Sequence, residues 1–201
     1  MIKIFYCTLL VFFSLHRVYA QNEKILLSDY FSSNNNNWLT YTGNKVSYLL
    51  YNGKYIIESN DSVVYRVGVP VSLDASKSYS ISAAAVHTSG TDNYGYGLYF
   101  GAKDPNNCFI FSISANGYYR ADEDVNGTYT ELVKWTETTA IKKGNYAENI
   151  LKIKKEGREW KFFVNDELLT SIPAQEFKGT LVGFSKGNAQ RIEFDNLKVM
   201  Q

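Results

Sequence analysis

Along most of the chain apolar and polar residues alternate with a period of two, and clusters of turn residues interrupt them at intervals of roughly 8 to 12 positions. That is the pattern of short, half-buried strands, and no helical period declares itself after residue 20. Asn52-Gly53 lies between Val46–Tyr51 and Lys54–Glu58, and Asn126-Gly127 between Tyr118–Asp124 and Thr128–Trp135. Asn-Gly supplies the positive φ values of a type I′ turn, so both pairs read as hairpins. Asn116-Gly117 reads the same way between Phe109–Ser114 and Tyr118–Asp124, and Asn165-Asp166 parts Trp160–Val164 from Leu168–Thr170. Further strands are expected at Ser62–Val67, Tyr79–Val86, Tyr94–Gly101, Ile150–Lys154, Leu181–Ser185 and Arg191–Val199. About a dozen strands exceed the roughly seven to nine of an immunoglobulin sandwich. They suit an all-β fold, a jelly-roll sandwich of two antiparallel sheets.

The first twenty residues stand apart. Lys3 supplies a positive start, Ile4–Leu15 is a nearly unbroken apolar run, and Val18-Tyr19-Ala20 ends in small residues. Residues 1–20 therefore read as a signal peptide cleaved after Ala20, and residues 21–201 as a single domain. The apolar run is too short for a spanning helix, and no later segment approaches that length. Without the leader the 20 acidic residues face two fewer than the 21 basic ones, a net charge of −1. Such a surface offers nucleic acid or anionic lipid no electrostatic attraction. It also leaves Cys108 without a partner, so no internal disulfide forms. An exported chain without disulfides suits a bacterial envelope (periplasm, cell surface or medium) better than a eukaryotic secretory route.

The order of motifs adds to this. Asp29-Tyr30-Phe31 and Trp38 open the domain, and Asn52-Gly53-Lys54-Tyr55 and Tyr96-Gly97-Leu98-Tyr99-Phe100-Gly101 follow. Phe109-Ile110-Phe111-Ser112-Ile113 comes next, then Asn149-Ile150-Leu151-Lys152-Ile153 and Phe162-Phe163-Val164-Asn165. Gly183-Phe184 and Ile192-Glu193-Phe194-Asp195-Asn196-Leu197 close it. From Asp29 to Val199 the chain resembles the concanavalin A-like lectin/glucanase superfamily, in particular its bacterial laminin-G-like jelly rolls. The resemblance implies a fold shared by sugar-binding modules, glycosidases and domains of other roles. It also implies a structural Ca²⁺ in many members, for which Asp29 and Asp195 are the candidate ligands here.

Glycoside hydrolysis needs two carboxylates across one sugar site. The Glu-x-Asp-x-x-Glu strand of the superfamily's glucanases does not occur, and Asp122-Glu123-Asp124 sends Glu123 to the opposite face. Asp122-x-Asp124-x-Asn126-Gly127 matches the first half of a calcium loop, but position 12 is Val133. His87 and Cys108 are too few for a zinc cluster, and a lone thiol at the head of an apolar strand reads as packing.

The aromatic content is high: 16 Tyr, 12 Phe and 3 Trp make 15% of the chain. Trp160, Phe109, Phe111, Phe162 and Phe184 read as core. In Tyr94–Gly101 the inward face is expected to be Tyr94, Tyr96, Leu98 and Phe100. The other face is then Gly95, Gly97, Tyr99 and Gly101, and strand glycines mark the close approach of a ligand or another backbone. The neighbouring strands add Ser112 and Ser114, then Tyr118, Arg120 and Asp122, to that open face. Tyr99, Ser112, Tyr118 and Arg120, with Trp135 as a stacking platform at the edge, are the candidate ligand-binding residues. Their guanidinium, hydroxyls and rings suit sugar hydroxyls or a uronate carboxylate. As outward side chains they are expected to be replaceable without loss of folding. The reading is an exported, non-catalytic carbohydrate-recognition domain at the cell envelope, its partner a glycan. The alternatives are a structural module whose partner is an envelope protein, and an enzyme acting on glycosides without the usual glucanase motif.

Overall fold

A computed structural model describes residues 23–201; the leader expected over residues 1–20 lies outside them. None of the described residues is helical, and no helix among them is long and apolar enough to cross a membrane. Fifteen strands form two antiparallel sheets. In spatial order the larger sheet runs β13 (Glu167–Pro173), β12 (Glu159–Val164), β11 (Glu148–Glu156), β6 (Tyr79–Gly90) and β15 (Gln190–Met200). It continues through β4 (Lys54–Ser59), β3 (Val46–Tyr51) and β2 (Tyr41–Thr42), while β1 (Ile25–Asp29) pairs with the far half of β15. The second sheet runs β10 (Thr128–Glu137), β9 (Tyr118–Val125), β8 (Asn107–Ile113), β7 (Tyr96–Asp104), β14 (Leu181–Lys186) and β5 (Tyr65–Pro70).

Three of the four expected turns have their sequence-encoded geometry. Asn52/Gly53, Asn126/Gly127 and Asn165/Asp166 all have both residues at positive φ. Asn116-Gly117 differs, because only Gly117 (φ 99°) is left-handed there. The loop is instead closed by the Ser114 N–H bonding the Tyr118 carbonyl and the Gly117 N–H bonding the Ser114 carbonyl. β1 and β2 carry no local signal: one is a five-residue run whose partner is the last strand, the other a two-residue edge.

Between the sheets lies an aromatic core. Phe31, Trp38, Tyr55, Phe184 and Phe194 stack at one end, with Phe184 and Phe194 4.1 Å apart. Trp160 sits edge-on to Phe100 and Phe109 at the other. Both buried indoles are satisfied: Trp38 Nε1 donates to Asp29 Oδ2 (2.8 Å) and Trp160 Nε1 to the Tyr79 hydroxyl (2.7 Å). On β12 Trp160, Phe162 and Val164 face inward, while Phe163 faces out under Lys152.

The core also settles several candidate chemistries. Asp29 accepts bonds from Phe31 N–H, Asn36 and Trp38, and Asp195 is paired with Lys54 at 2.7 Å. Both candidate calcium ligands are thus engaged by protein donors. No group of three or more His, Cys, Asp or Glu side chains placed to hold a metal occurs among the described residues. His87 is buried against Tyr96 on the core side and bonds Asn145 through Nδ1. Cys108 lies on the other face of the second sheet with Tyr99, Ala102 and Ile110, so the two form no dyad. Burial pushes the Cys108 thiol up to about 12, which keeps it protonated and unreactive.

Candidate functional site

The register of the second sheet builds the site row by row. Arg66, Ser185, Gly97, Ser112 and Arg120 stand opposite one another on β5, β14, β7, β8 and β9. The next row is Gly68, Gly183, Tyr99, Ile110 and Asp122. Strands four places apart in a flat sheet are about 19 Å from each other. Yet Arg66 of β5 donates from Nη1 to Asp124 Oδ2 of β9 at 2.8 Å, and also bonds the Pro105 carbonyl. Two side chains cannot span the flat distance, so the sheet curls and its outer face is concave.

That curl corrects the expectation for Tyr99. Its ring does lie on the outer face, but against Gly68 and beneath the reach of Arg66, with 1% of its surface exposed. It is part of a small second core with Ala102, Cys108 and Ile110, and burial pushes its hydroxyl pKa up. Tyr99 touches no ligand space. The glycines are corrected likewise. A Cβ at Gly97 would strike the Phe111 carbonyl and Leu151, and one at Gly101 would strike Phe177. Their close neighbour is protein; Gly95 alone of the three lines the cleft, and a Cβ there would press on Ser112 and Trp135.

The open space is a cleft of about 240 Å³. Its floor is Gly95, Ile110, Ser112 and Ser185, and its walls are Tyr94, Trp135, Arg66 and Arg120. Tyr94 was expected inward; it precedes β7 and is 45% exposed at the cleft rim. Ser112 and Arg120 line the cleft, and Trp135 stands at its edge. Tyr118 instead faces a neighbouring depression on the other side of Trp135. Two one-residue irregularities in the β9–β10 register bring Tyr129 and Trp135 over the same arginine. The Arg120 guanidinium carbon lies 5.2 Å from the Tyr129 ring centre and 4.8 Å from that of Trp135. Behind the cleft, Gln190 Nε2 bonds the carbonyls of Gly95 and Gly187. The buried Lys186 ammonium ties that wall to Ser59 and the Asn188 carbonyl.

Beneath the cleft lies a network of two cations and two carboxylates. Arg120 Nε is 2.8 Å from Asp122 Oδ2, Arg120 Nη1 donates to the Tyr129 hydroxyl (2.7 Å), and that hydroxyl donates to Asp122 Oδ1 (2.5 Å). Asp122 is fully buried, so it is not the solvent-facing strand residue or calcium-loop ligand that its sequence allowed. Of the six buried side-chain atoms without a hydrogen bond among the described residues, four are here, Arg66 Nε, Arg120 Nε, Asp122 Oδ2 and Asp124 Oδ1, and a fifth is Gln190 Oε1 behind the cleft. Arg120 Nε and Asp122 Oδ2 attract as charges without hydrogen-bond alignment.

Burial raises the Asp122 carboxyl to about 6, against the opposing pull of Arg120 and the Tyr129 hydroxyl. The folded protein therefore holds this proton to higher pH than the unfolded chain does. Its contribution to stability is greatest below about pH 4 and is lost as pH rises to about 6. Asp122→Asn is expected to flatten the pH dependence of Tm across that interval. A variant whose Tm still falls between pH 4 and 6 as steeply as the parent's would place the titration elsewhere.

Arg66, Tyr94, Tyr129 and Ser185 were not among the candidates from sequence. Alternation puts Arg66 and Ser185 outward beside core Val67 and Phe184. Only the strand order β5–β14–β7 brings them to the cleft.

No family model matches the sequence, and no curated protein matches it. Solved structures do. A carbohydrate binding module, CBM66 from Bacillus subtilis, matches with a TM-score of 0.58 at 15% identity, over 89% of this chain and 95% of that one. The shared property is the fold. A xylan β-1,4-xylosidase from Bacillus halodurans matches with a TM-score of 0.60 at 14% identity, over 87% of this chain but 39% of that one. The carbohydrate recognition domain of Emp46p matches at 0.52 with 9% identity, over 77% of this chain and 86% of that one.

Proposed function

We propose that the protein is a non-catalytic carbohydrate-recognition domain that binds a neutral glycan in the cleft between Tyr94, Trp135 and Arg120. The observation that carries this is the lining itself: the Tyr94 and Trp135 rings beside two guanidiniums and the Ser112 and Ser185 hydroxyls. Rings stack on the apolar faces of sugars, and the polar groups meet hydroxyls that both donate and accept. The two guanidiniums are already balanced by Asp122 and Asp124. That balance favours neutral sugars over the uronate that an isolated Arg120 would attract. The fold shared with a carbohydrate binding module and a carbohydrate recognition domain fits this reading. The apolar leader read in the sequence supports an exported protein, with the cell envelope as the proposed place of action.

Catalysis is not the reading the cleft favours. Asp122 and Asp124 are held under its floor by arginines rather than presented to a glycosidic bond. A glycan array with a reducing-sugar assay on its hits tests both points: binding without sugar release is expected. Release of reducing ends would make the protein an enzyme. Capture of envelope protein with no glycan bound would favour an interaction module. Trp135→Ala is expected to weaken glycan binding about tenfold, the equivalent of ~1.4 kcal/mol. Its Tm should fall less than that of Arg120→Ala, because the indole is partly exposed at the cleft edge and balances no buried charge.

A further inference from the structure

We infer that Trp135 divides the site into two subsites, so that the ligand is at least a disaccharide lying across this indole. The inference rests on the sugar-binding reading of the cleft. On the far side of Trp135 lies a second depression of about 190 Å³, lined by Asn93, Ser114, Asn116 and Tyr118. It shares Asn93 and Trp135 with the first cleft, so the two adjoin at the indole.

The two halves are chemically different. The first is built on paired guanidiniums and carboxylates. The second holds no carboxylate, ammonium or guanidinium among its lining residues, only two amides, the Ser114 and Tyr118 hydroxyls and two aromatic rings. Asn116 is oriented for use. Its Oδ1 accepts from Ser114 Oγ at 2.6 Å, and among the described residues its Nδ2 donors bond no side chain or carbonyl. Ser114 is in turn fixed by its bonds with the Tyr118 backbone, so the amide stands on a braced loop. The half-exposed Tyr118 ring supplies a second apolar plate beside Trp135. The lone left-handed residue Gly117 sets the turn that holds Asn116 and Tyr118 at this edge.

Each half, at about 240 and 190 Å³, falls below the roughly 300 Å³ at which pockets for drug-sized ligands begin. Each suits one sugar ring, and a linked pair would occupy both. A second ring docked by its own contacts adds affinity to the same molecule without a second association cost.

The test is calorimetric titration of the full chain with xylo-, cello- and malto-oligosaccharides of one, two and three units. In the series that binds, affinity is expected to rise at least tenfold from one unit to two and to change little from two to three. Tyr118→Ala and Asn116→Asp are expected to remove most of that rise while leaving the single-unit affinity unchanged. Asn116→Asp keeps the acceptor for Ser114 and loses the amide donors, and an unaltered Tm shows that the loop still folds. Equal affinity for one and two units would overturn the second subsite and leave the first cleft standing. So would a rise that both variants retain. Failure of all three series, with hits absent from the array as well, would overturn the sugar-binding reading and this inference with it.

Discussion

Arg120→Ala is expected to abolish glycan binding and also to lower stability, which separates Arg120 from Trp135. Its guanidinium is a wall of the cleft and the counter-charge of a fully buried carboxylate. Removing one partner of a buried pair costs roughly 3–5 kcal/mol, because the other charge is left without compensation. Arg120 is partly exposed, and Asp122 can take up a proton, so the loss should lie toward the lower end. For a domain of this size ~3 kcal/mol corresponds to roughly 6–12 °C in Tm. The sign with pH follows. Without Arg120 the Asp122 pKa rises further above about 6, so the variant loses more stability at pH 7.5 than at pH 5. Arg120→Ala/Asp122→Asn should recover most of the Tm while glycan binding stays lost. An Arg120→Ala protein that melts like its parent at both pH values would mean that the pair under the cleft does not form.

The second large effect is on the core. Trp160 has no exposed surface, lies edge-on to Phe100 and Phe109 of the facing sheet, and donates to the Tyr79 hydroxyl two strands away in its own sheet. Trp160→Ala should cost roughly 3–5 kcal/mol. That is a large part of the total stability of ordinary domains, about 5–15 kcal/mol. Trp160→Phe should cost less, since it refills much of the space and loses chiefly the bond to Tyr79. Urea unfolding of both variants checks this order. A loss below about 1 kcal/mol for the alanine variant would place Trp160 at the surface and contradict the packing of β12 against β7 and β8.

The strands and their faces were legible because period-two alternation is a local property. Phe109, Phe111, Trp160, Phe162 and Phe184 are core as alternation requires, and the Asn-Gly pairs at 52–53 and 126–127 turn as their φ preferences dictate. What alternation omits is curvature and strand order. It puts Tyr99 on the outer face correctly, but an arginine arriving from β5 roofs it, and nothing near residue 99 announces Arg66. Extending the alternation two residues before β7 begins puts Tyr94 inward, whereas its ring stands at the cleft rim. Arg120 was legible as an outward side chain; its buried ion pair was not, since Asp122 reads as solvent-facing until the sheet curls over it. The division of Ser112 and Arg120 from Tyr118 depends on register irregularities in β10, which no spacing in the sequence marks.

The most direct test of the cleft is a ¹H–¹⁵N correlation titration with the strongest glycan hit, following the indole N–H signals. The chain has three tryptophans, of which Trp38 and Trp160 are buried and bonded to Asp29 and Tyr79. The Trp135 indole signal should move, together with the backbone amides of Gly95, Ser112 and Arg120, while the other two indoles stay still. A larger and more open depression of about 320 Å³ lies on the outer face of the other sheet, beside Tyr30, Ser82 and Lys198. Shifts confined to those residues, with the Trp135 indole unmoved, would contradict the account.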